Sequence, residues 1–269
     1  MPHYRNKTVV ITGACGGIGR ALAARFGEAG ARIALIDIRE EQLAALAEHL
    51  ESRNIQAQGY LCDIRDPQQV EQTFSLIVSD FCSIDVLINN AGIVHHSRFE
   101  ETSLSVFHKM METNYFGALH CVRSALQQLI ANKGQIITMS STTGVAPLWY
   151  RSACAASKHA LHGLFDCVRV ELREKGVRVM MVCPGFTATD MYKNVLQADG
   201  SVSSNPVEMK GKATAPNDVA EEIYHAARKD KRLLVMSNVD WRARFIARVL
   251  PGFFERHLAH RLTGVIQTY

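Results

Sequence analysis

The sequence lacks any run of 18 apolar residues, so no segment reads as a membrane-spanning helix. It has no C-x-x-C pair, and its seven cysteines are odd in number. Both features argue against a disulfide framework and against structural zinc, and they point to free thiols in a reducing cytosol. No metal is expected. The opening residues, Met1-Pro2-His3-Tyr4-Arg5-Asn6-Lys7, carry no apolar core of a secretory signal, in keeping with a cytoplasmic protein. No internal repeat, low-complexity tract or polar linker divides the 269 residues, so a single domain over 1–269 is expected. The formal net charge is only +4, but it is unevenly placed. Residues 228–261 hold nine Lys or Arg against Asp230, Asp240 and Glu255, which leaves the rest slightly acidic. No nucleic-acid motif accompanies that basic stretch, and no nucleic-acid partner is expected.

What the sequence does hold is a glycine turn between a strand and a helix. Thr8-Val9-Val10-Ile11 is the short β-branched run of a buried strand. Ile18, Leu22 and Phe26 then recur every four residues, with Ala21 and Ala29 on the same face, as in a helix. Between them lies Gly13-Ala14-Cys15-Gly16-Gly17-Ile18-Gly19. Such a turn lets backbone approach a diphosphate closely, and the free N–H groups of the helix start face the anion. Packing alone would also explain the glycines. Asp37 weighs against that reading. It stands 20 residues beyond Gly17, at the end of Ile33-Ala34-Leu35-Ile36, where a dinucleotide-binding unit places the acid that holds the adenosine ribose.

Strands and helices alternate along the chain. That pattern predicts an α/β fold, a single Rossmann-type doubly wound domain with a seven-stranded, mostly parallel sheet and helices on both faces. Helices are expected near Glu40–Arg53, Pro67–Asp80, Ser103–Ile130, Ser152–Lys175 and Asn217–Arg228. The remaining strands are expected at Gln56–Cys62, Asp85–Ile88, Gln135–Met139, Val177–Val182 and Arg232–Met236. Residues 189–212 read as a polar, mobile lid, and 240–269 as a basic amphipathic extension. Each notable motif falls at the carboxyl end of a strand, where open α/β sheets bind ligands.

These motifs resemble those of the short-chain dehydrogenase/reductase family along nearly the full chain. The T-G-x-x-x-G-x-G pattern is met by Thr12, Gly13, Gly17 and Gly19, and N-N-A-G by Asn89, Asn90, Ala91 and Gly92. Asn114 matches the helix asparagine, Ser140-Ser141 the serine pair after the fifth strand, and Pro184, Gly185 and Thr189 the P-G-x-x-x-T motif. The segment Arg151–Ala160 looks most like reductases of steroid-like or other lipophilic carbonyls. The resemblance implies hydride transfer between a nicotinamide cofactor and a secondary alcohol or ketone, and relatives that are commonly dimers or tetramers. It implies Ser141, Lys158 and Asn114 as catalytic residues. It also implies adenine contacts at Asp63 and Ile64, and carboxamide and phosphate contacts at Thr187 and Thr189.

One position departs from the pattern. The family's Y-x-x-x-K has its Lys158 here, but Cys154 stands where the tyrosine belongs, thirteen residues after Ser141. Tyr150 lies two turns from Lys158 and does not replace it. A cysteine is too short to reach a phenol's position, and its S–H is a weak donor, so proton transfer is expected to be impaired. The change is engineered, or natural in a divergent member, or compensated by a water. A non-catalytic nucleotide-binding regulatory or assembly protein is the rival reading.

Asp37, with Ile38 beside it, favours NAD over NADP, since a carboxylate repels a 2′-phosphate. The glycine turn carries no Lys or Arg before Gly17, which agrees, while Arg39 is the dissenting residue. Thr143, Tyr150, Phe186 and His95, with Ser141, are the expected substrate-side residues, although a loop histidine without an acidic orienter more often faces solvent or packs. Cys15, Cys62 and Cys183 adjoin the cofactor turns as small apolar fillers. The stretch 241–262 sets Phe245, Ile246, Val249, Leu250, Phe253 and Phe254 among arginines. A weak membrane-surface contact is one expectation for it. A subunit contact or a cap on the substrate site is favoured, because Pro251-Gly252 shortens the apolar face.

Overall fold

The computed structural model describes residues 4–203, 213–236, 249, 250 and 252. In chain order the elements are β1 (Thr8–Thr12), α1 (Gly17–Glu28), β2 (Arg32–Asp37), α2 (Glu40–Glu51), β3 (Ala57–Leu61) and α3 (Pro67–Phe81). They continue with β4 (Val86–Asn89), α4 (Leu104–Met111), α5 (Gly117–Ala131), β5 (Gln135–Met139), α6 (Ser152–Glu171), β6 (Arg178–Pro184), α7 (Pro216–Arg228) and β7 (Leu233–Met236).

The strands form one sheet in the order β3-β2-β1-β4-β5-β6-β7. Every pairing is parallel, from Val10 opposite Ala34 and Leu87 to Val182 opposite Leu234. Parallel strands covered on both faces need apolar residues at odd and even positions alike. Val9, Ile11, Ile33, Leu35 and Met180 pack with α1, α2 and α7 on one face. Val10, Ala34, Ile36, Leu87 and Met181 pack with α3, α5 and α6 on the other. Strand order reverses between β1 and β4, which opens a crevice at their carboxyl ends.

Two expectations need correction. The long helix over Ser103–Ile130 is two helices joined by a π-helical turn, Glu112–Phe116. The inserted residue turns Asn114 inward to full burial. The stretch after Thr189 is not simply polar. It carries a short 3₁₀ turn, Asp190–Lys193, and then buries Val195 and Leu196, with Leu196 bridged to His95 and Val202. Of the two alternatives for His95, facing solvent or packing, the structure shows the second: it is fully buried. The rest of the expected lid, 204–212, and nearly all of the C-terminal stretch lie outside the described residues. All seven cysteines are free. Among the described residues no helix is long and apolar enough to cross a membrane.

Candidate active site

The glycine turn is built by sterics. Gly13 has φ +62°, and a Cβ there would stand 2.7 Å from Ala91 Cα. This lets the β4 loop close on the β1 loop. Thr12 Oγ1 accepts the N–H groups of Asn90 and Ala91 at 3.0 and 3.1 Å. Asn90 Nδ2 donates to the carbonyls of Thr12 and Gly13. A Cβ on Gly17 would meet Thr189 Cγ2 at 2.7 Å, so the loop after β6 lies against the start of α1. No side chain caps α1, and its first-turn N–H groups remain available to an anion. A turn kept open by glycine at an uncapped helix start fits a dinucleotide's diphosphate.

Asp37 ends β2, buried to 5 % exposure. Its Oδ2 accepts from Cys15 N (2.9 Å) and Arg39 Nη2 (3.0 Å), and its Oδ1 from Ile38 N (2.9 Å) and Arg39 Nε (2.9 Å). Burial alone would raise its pKa, but the Arg39 bonds and the Cys15 amide outweigh burial and hold it below the ordinary carboxylate value. The Cys15 thiol is pushed up to about 11 by burial and by Asp37, which keeps it an inert filler. Ile38 is largely exposed, while Ile64 is buried and its carbonyl accepts from His120. Asp63 pairs with Arg65 beside a polar cavity of about 450 Å³. The sequence reading missed the Asp37–Arg39 clasp, although the two-residue spacing permits it.

At the other end of the crevice three predicted residues converge. A Cβ on Gly92 would stand 3.1 Å from Asn114 Oδ1 and 3.6 Å from Lys158 Nζ. Asn114 Oδ1 accepts from Ile93 N (2.9 Å), and its Nδ2 donates to Ile93 O (3.2 Å) and Ser157 Oγ (3.0 Å). Lys158 Nζ donates to Met139 O at 2.8 Å, and burial lowers its pKa. Cys154 is buried one turn earlier on α6, in an apolar cluster with Val106, Met110, Ala153 and Leu196. Its Sγ lies 3.6 Å from Thr143 Oγ1, and Thr143 N donates to Ser141 Oγ at 3.2 Å. Ser141, Thr143 and Cys154 are thereby linked, with Lys158 one turn further along α6. Ser157 and Arg151 escaped the sequence reading. Ser157 lies fully buried between Asn114 and Cys154 O, and Arg151 donates to His95 O at 2.7 Å.

The remaining predicted residues sit around this group. Thr187 is buried and bonds Gly185 O at 3.3 Å, and Phe186 is half-buried in the same loop. Tyr150 precedes α6 in the left-handed region, φ +59°, with its ring edge-on to His96 and Trp149. It flanks a groove of about 530 Å³ lined also by Phe99, Leu148, Trp149 and Ala155.

A dinucleotide cradle at the switch point and a lysine–asparagine–serine set beyond it define an α/β oxidoreductase that uses a nicotinamide cofactor. Residues 7–200 match the model of the short chain dehydrogenase family. Dehydrogenase/reductase SDR family member 7B of Bos taurus is 36% identical over 267 residues, covering 96% of this chain and 82% of that protein. A short chain dehydrogenase/reductase from Burkholderia phymatum, solved in complex with NAD, shares the fold with TM-score 0.82 at 22% identity, over 92% of this chain and 95% of that one. ElxO with NADP bound superposes with TM-score 0.74 at 28% identity, over 87% and 98% of the two chains. The protein belongs to the short-chain dehydrogenase/reductase family and is an NAD(P)-dependent dehydrogenase/reductase.

Proposed function

We propose that this protein moves hydride between NAD, in preference to NADP, and a lipophilic, steroid-like secondary alcohol or ketone, with proton transfer slowed by Cys154. The Gly13–Gly19 turn, Asp37, Ile38, Asp63, Ile64, Asn90–Gly92, Lys158, Pro184, Gly185, Thr187 and Thr189 hold the cofactor. When bound, the cofactor supplies or accepts the hydride. Ser141 and Thr143 orient the substrate oxygen, Lys158 holds the ribose, and Asn114 fixes the loop at Ile93 against α6. Phe99, Leu148 and Trp149 are exposed apolar side chains on the adjoining groove, which suits a lipophilic substrate. The protein acts in the cytoplasm as a homodimer or homotetramer, as is common among its relatives.

What supports this reading is the run of contacts from Cys154 Sγ to Thr143 Oγ1 and from Thr143 N to Ser141 Oγ, with Asn114 tied through Ser157 to the same turn of α6 that carries Lys158. Cys154→Tyr restores a strong proton donor there and is expected to raise ketone reduction by about 10²–10⁴-fold. The test is NADH oxidation over a panel of lipophilic ketones. A variant as slow as the parent on every ketone and alcohol overturns the catalytic assignment. It would favour a nucleotide-binding regulatory or assembly role, the reading that Cys154 alone supports.

A further inference from the structure

His95 is fully buried beside Cys154, and the assignment above gives it no chemical task. Its Nδ1 accepts the Cys154 backbone N–H at 3.3 Å. A ring nitrogen that accepts bears no proton, so the ring proton resides on Nε2. Nε2 has no hydrogen-bond partner among the described residues. Buried donors left without acceptors are rare in folded proteins and call for a ligand or water that completes them. The residue is also clamped. Arg151 Nη1 donates to its carbonyl at 2.7 Å, and its backbone bridges to Leu196. The ring is thus held at the start of α6, against the residue that replaces the phenol.

We propose that His95 Nε2–H is the hydrogen-bond donor to the substrate oxygen in this chain, supplying the polarisation that the family tyrosine would otherwise give. The proposal rests on the hydride-transfer reading of the same site. Cys154 is smaller than a tyrosine, and through Thr143 Oγ1, 3.6 Å from its Sγ, it is linked to Ser141, where the substrate oxygen is proposed to bind. Val106, Met110 and Leu196 pack around Cys154, and such apolar surroundings strengthen a hydrogen bond to developing negative charge. Burial first, then the charges of Arg151 and His96, push the ring's pKa down to about 4, so it stays a neutral donor near pH 7. In the reductive direction the carbonyl carbon would take the hydride that a bound nicotinamide supplies, forming a C–H bond. The C=O π pair would pass to the oxygen, where Nε2–H would stabilise the charge until a solvent water protonates it, the hydroxide left behind being neutralised by bulk solvent.

The test separates a donor from a structural cap. His95→Asn keeps an oxygen able to accept the Cys154 N–H but has nothing at the Nε2 position, whereas His95→Gln restores an N–H there. His95→Asn is expected to lower ketone reduction about tenfold or more with nucleotide affinity unchanged, and His95→Gln to recover part of it. In a Cys154→Tyr background the phenol polarises the oxygen, and His95→Asn should then change the rate by less than about threefold. Equal losses in both backgrounds, or no loss with Cys154 present, overturn the proposal. Imidazole ¹⁵N NMR of the unaltered chain with NADH and isobutyramide, an unreactive carbonyl probe, is independent of turnover. An Nε2–H tautomer whose signal shifts on adding the probe supports the proposal. An Nδ1–H tautomer, or a signal the probe leaves unmoved, contradicts it. If Cys154→Tyr is inactive while the NMR result holds, the hydride-transfer reading has failed and His95 is a donor to a bound carbonyl that takes no part in hydride transfer.

Discussion

Asp37 and Arg39 show how one side chain can change what another offers a ligand. The carboxylate is the residue that should refuse a 2′-phosphate, yet a guanidinium two residues on holds both its oxygens. Arg39→Ala leaves the acid uncompensated and should shift the NADH-to-NADPH affinity ratio toward NADH by about tenfold, or ~1.4 kcal/mol, by titration calorimetry. A shift toward NADPH would show that Arg39 opposes the phosphate rather than softening Asp37. His95 carries a second consequence at this scale. Its pKa is about 4 in the fold against an ordinary 6.5, so between those values the unfolded chain binds more protons. Stability conferred by the neutral ring is complete above about pH 6.5 and is lost as pH falls toward 4, by at most about 3 kcal/mol. His95→Asn should flatten that part of the urea-midpoint-against-pH curve, and an unchanged slope would place the ring's proton uptake elsewhere.

Among the elements, β1, the glycine turn and α1 were legible because their signals are local: a β-branched run, a glycine cluster and a four-residue apolar period. β5 was predicted at its observed bounds, Gln135–Met139. The π turn at Glu112–Phe116 was not legible, since one extra residue in a long helical period leaves the apolar pattern on both sides intact. The burial of Val195 and Leu196, and the choice between packing and exposure for His95, were likewise hidden, because they arise from contact between segments a hundred residues apart in sequence. The clustering of Asn114 and Lys158 was legible only through the resemblance to a family. Where the π turn hands over to α5, a Cβ on Gly117 would stand 2.5 Å from Ile64 Cδ1. Gly117→Ala should therefore displace Ile64, cost about 1–3 kcal/mol in denaturant titration and weaken NADH binding. An undisturbed NADH affinity would remove Ile64 from the adenine side.

For the whole molecule, strand order matters more than any single contact. Its reversal between β1 and β4 brings the glycine turn, Asn90 and Gly92 to one crevice, and continuation through β5 and β6 adds Ser141 and Thr189. The basic C-terminal stretch carries much of the chain's positive charge. Neither the full chain nor one lacking residues 241–269 is expected to float with anionic liposomes, and the deletion is expected to alter oligomer size or the KM for ketone. Flotation that depends on the tail would instead assign it to a membrane surface. The central claim is that a nicotinamide dinucleotide lies across the strand ends with its diphosphate on the Gly13–Gly19 turn. Titration calorimetry of the full chain with NADH tests it most directly. Saturable binding at one site per chain, tighter than for NADPH, is the predicted result, and the absence of heat with either nucleotide at millimolar concentration on folded protein would contradict it.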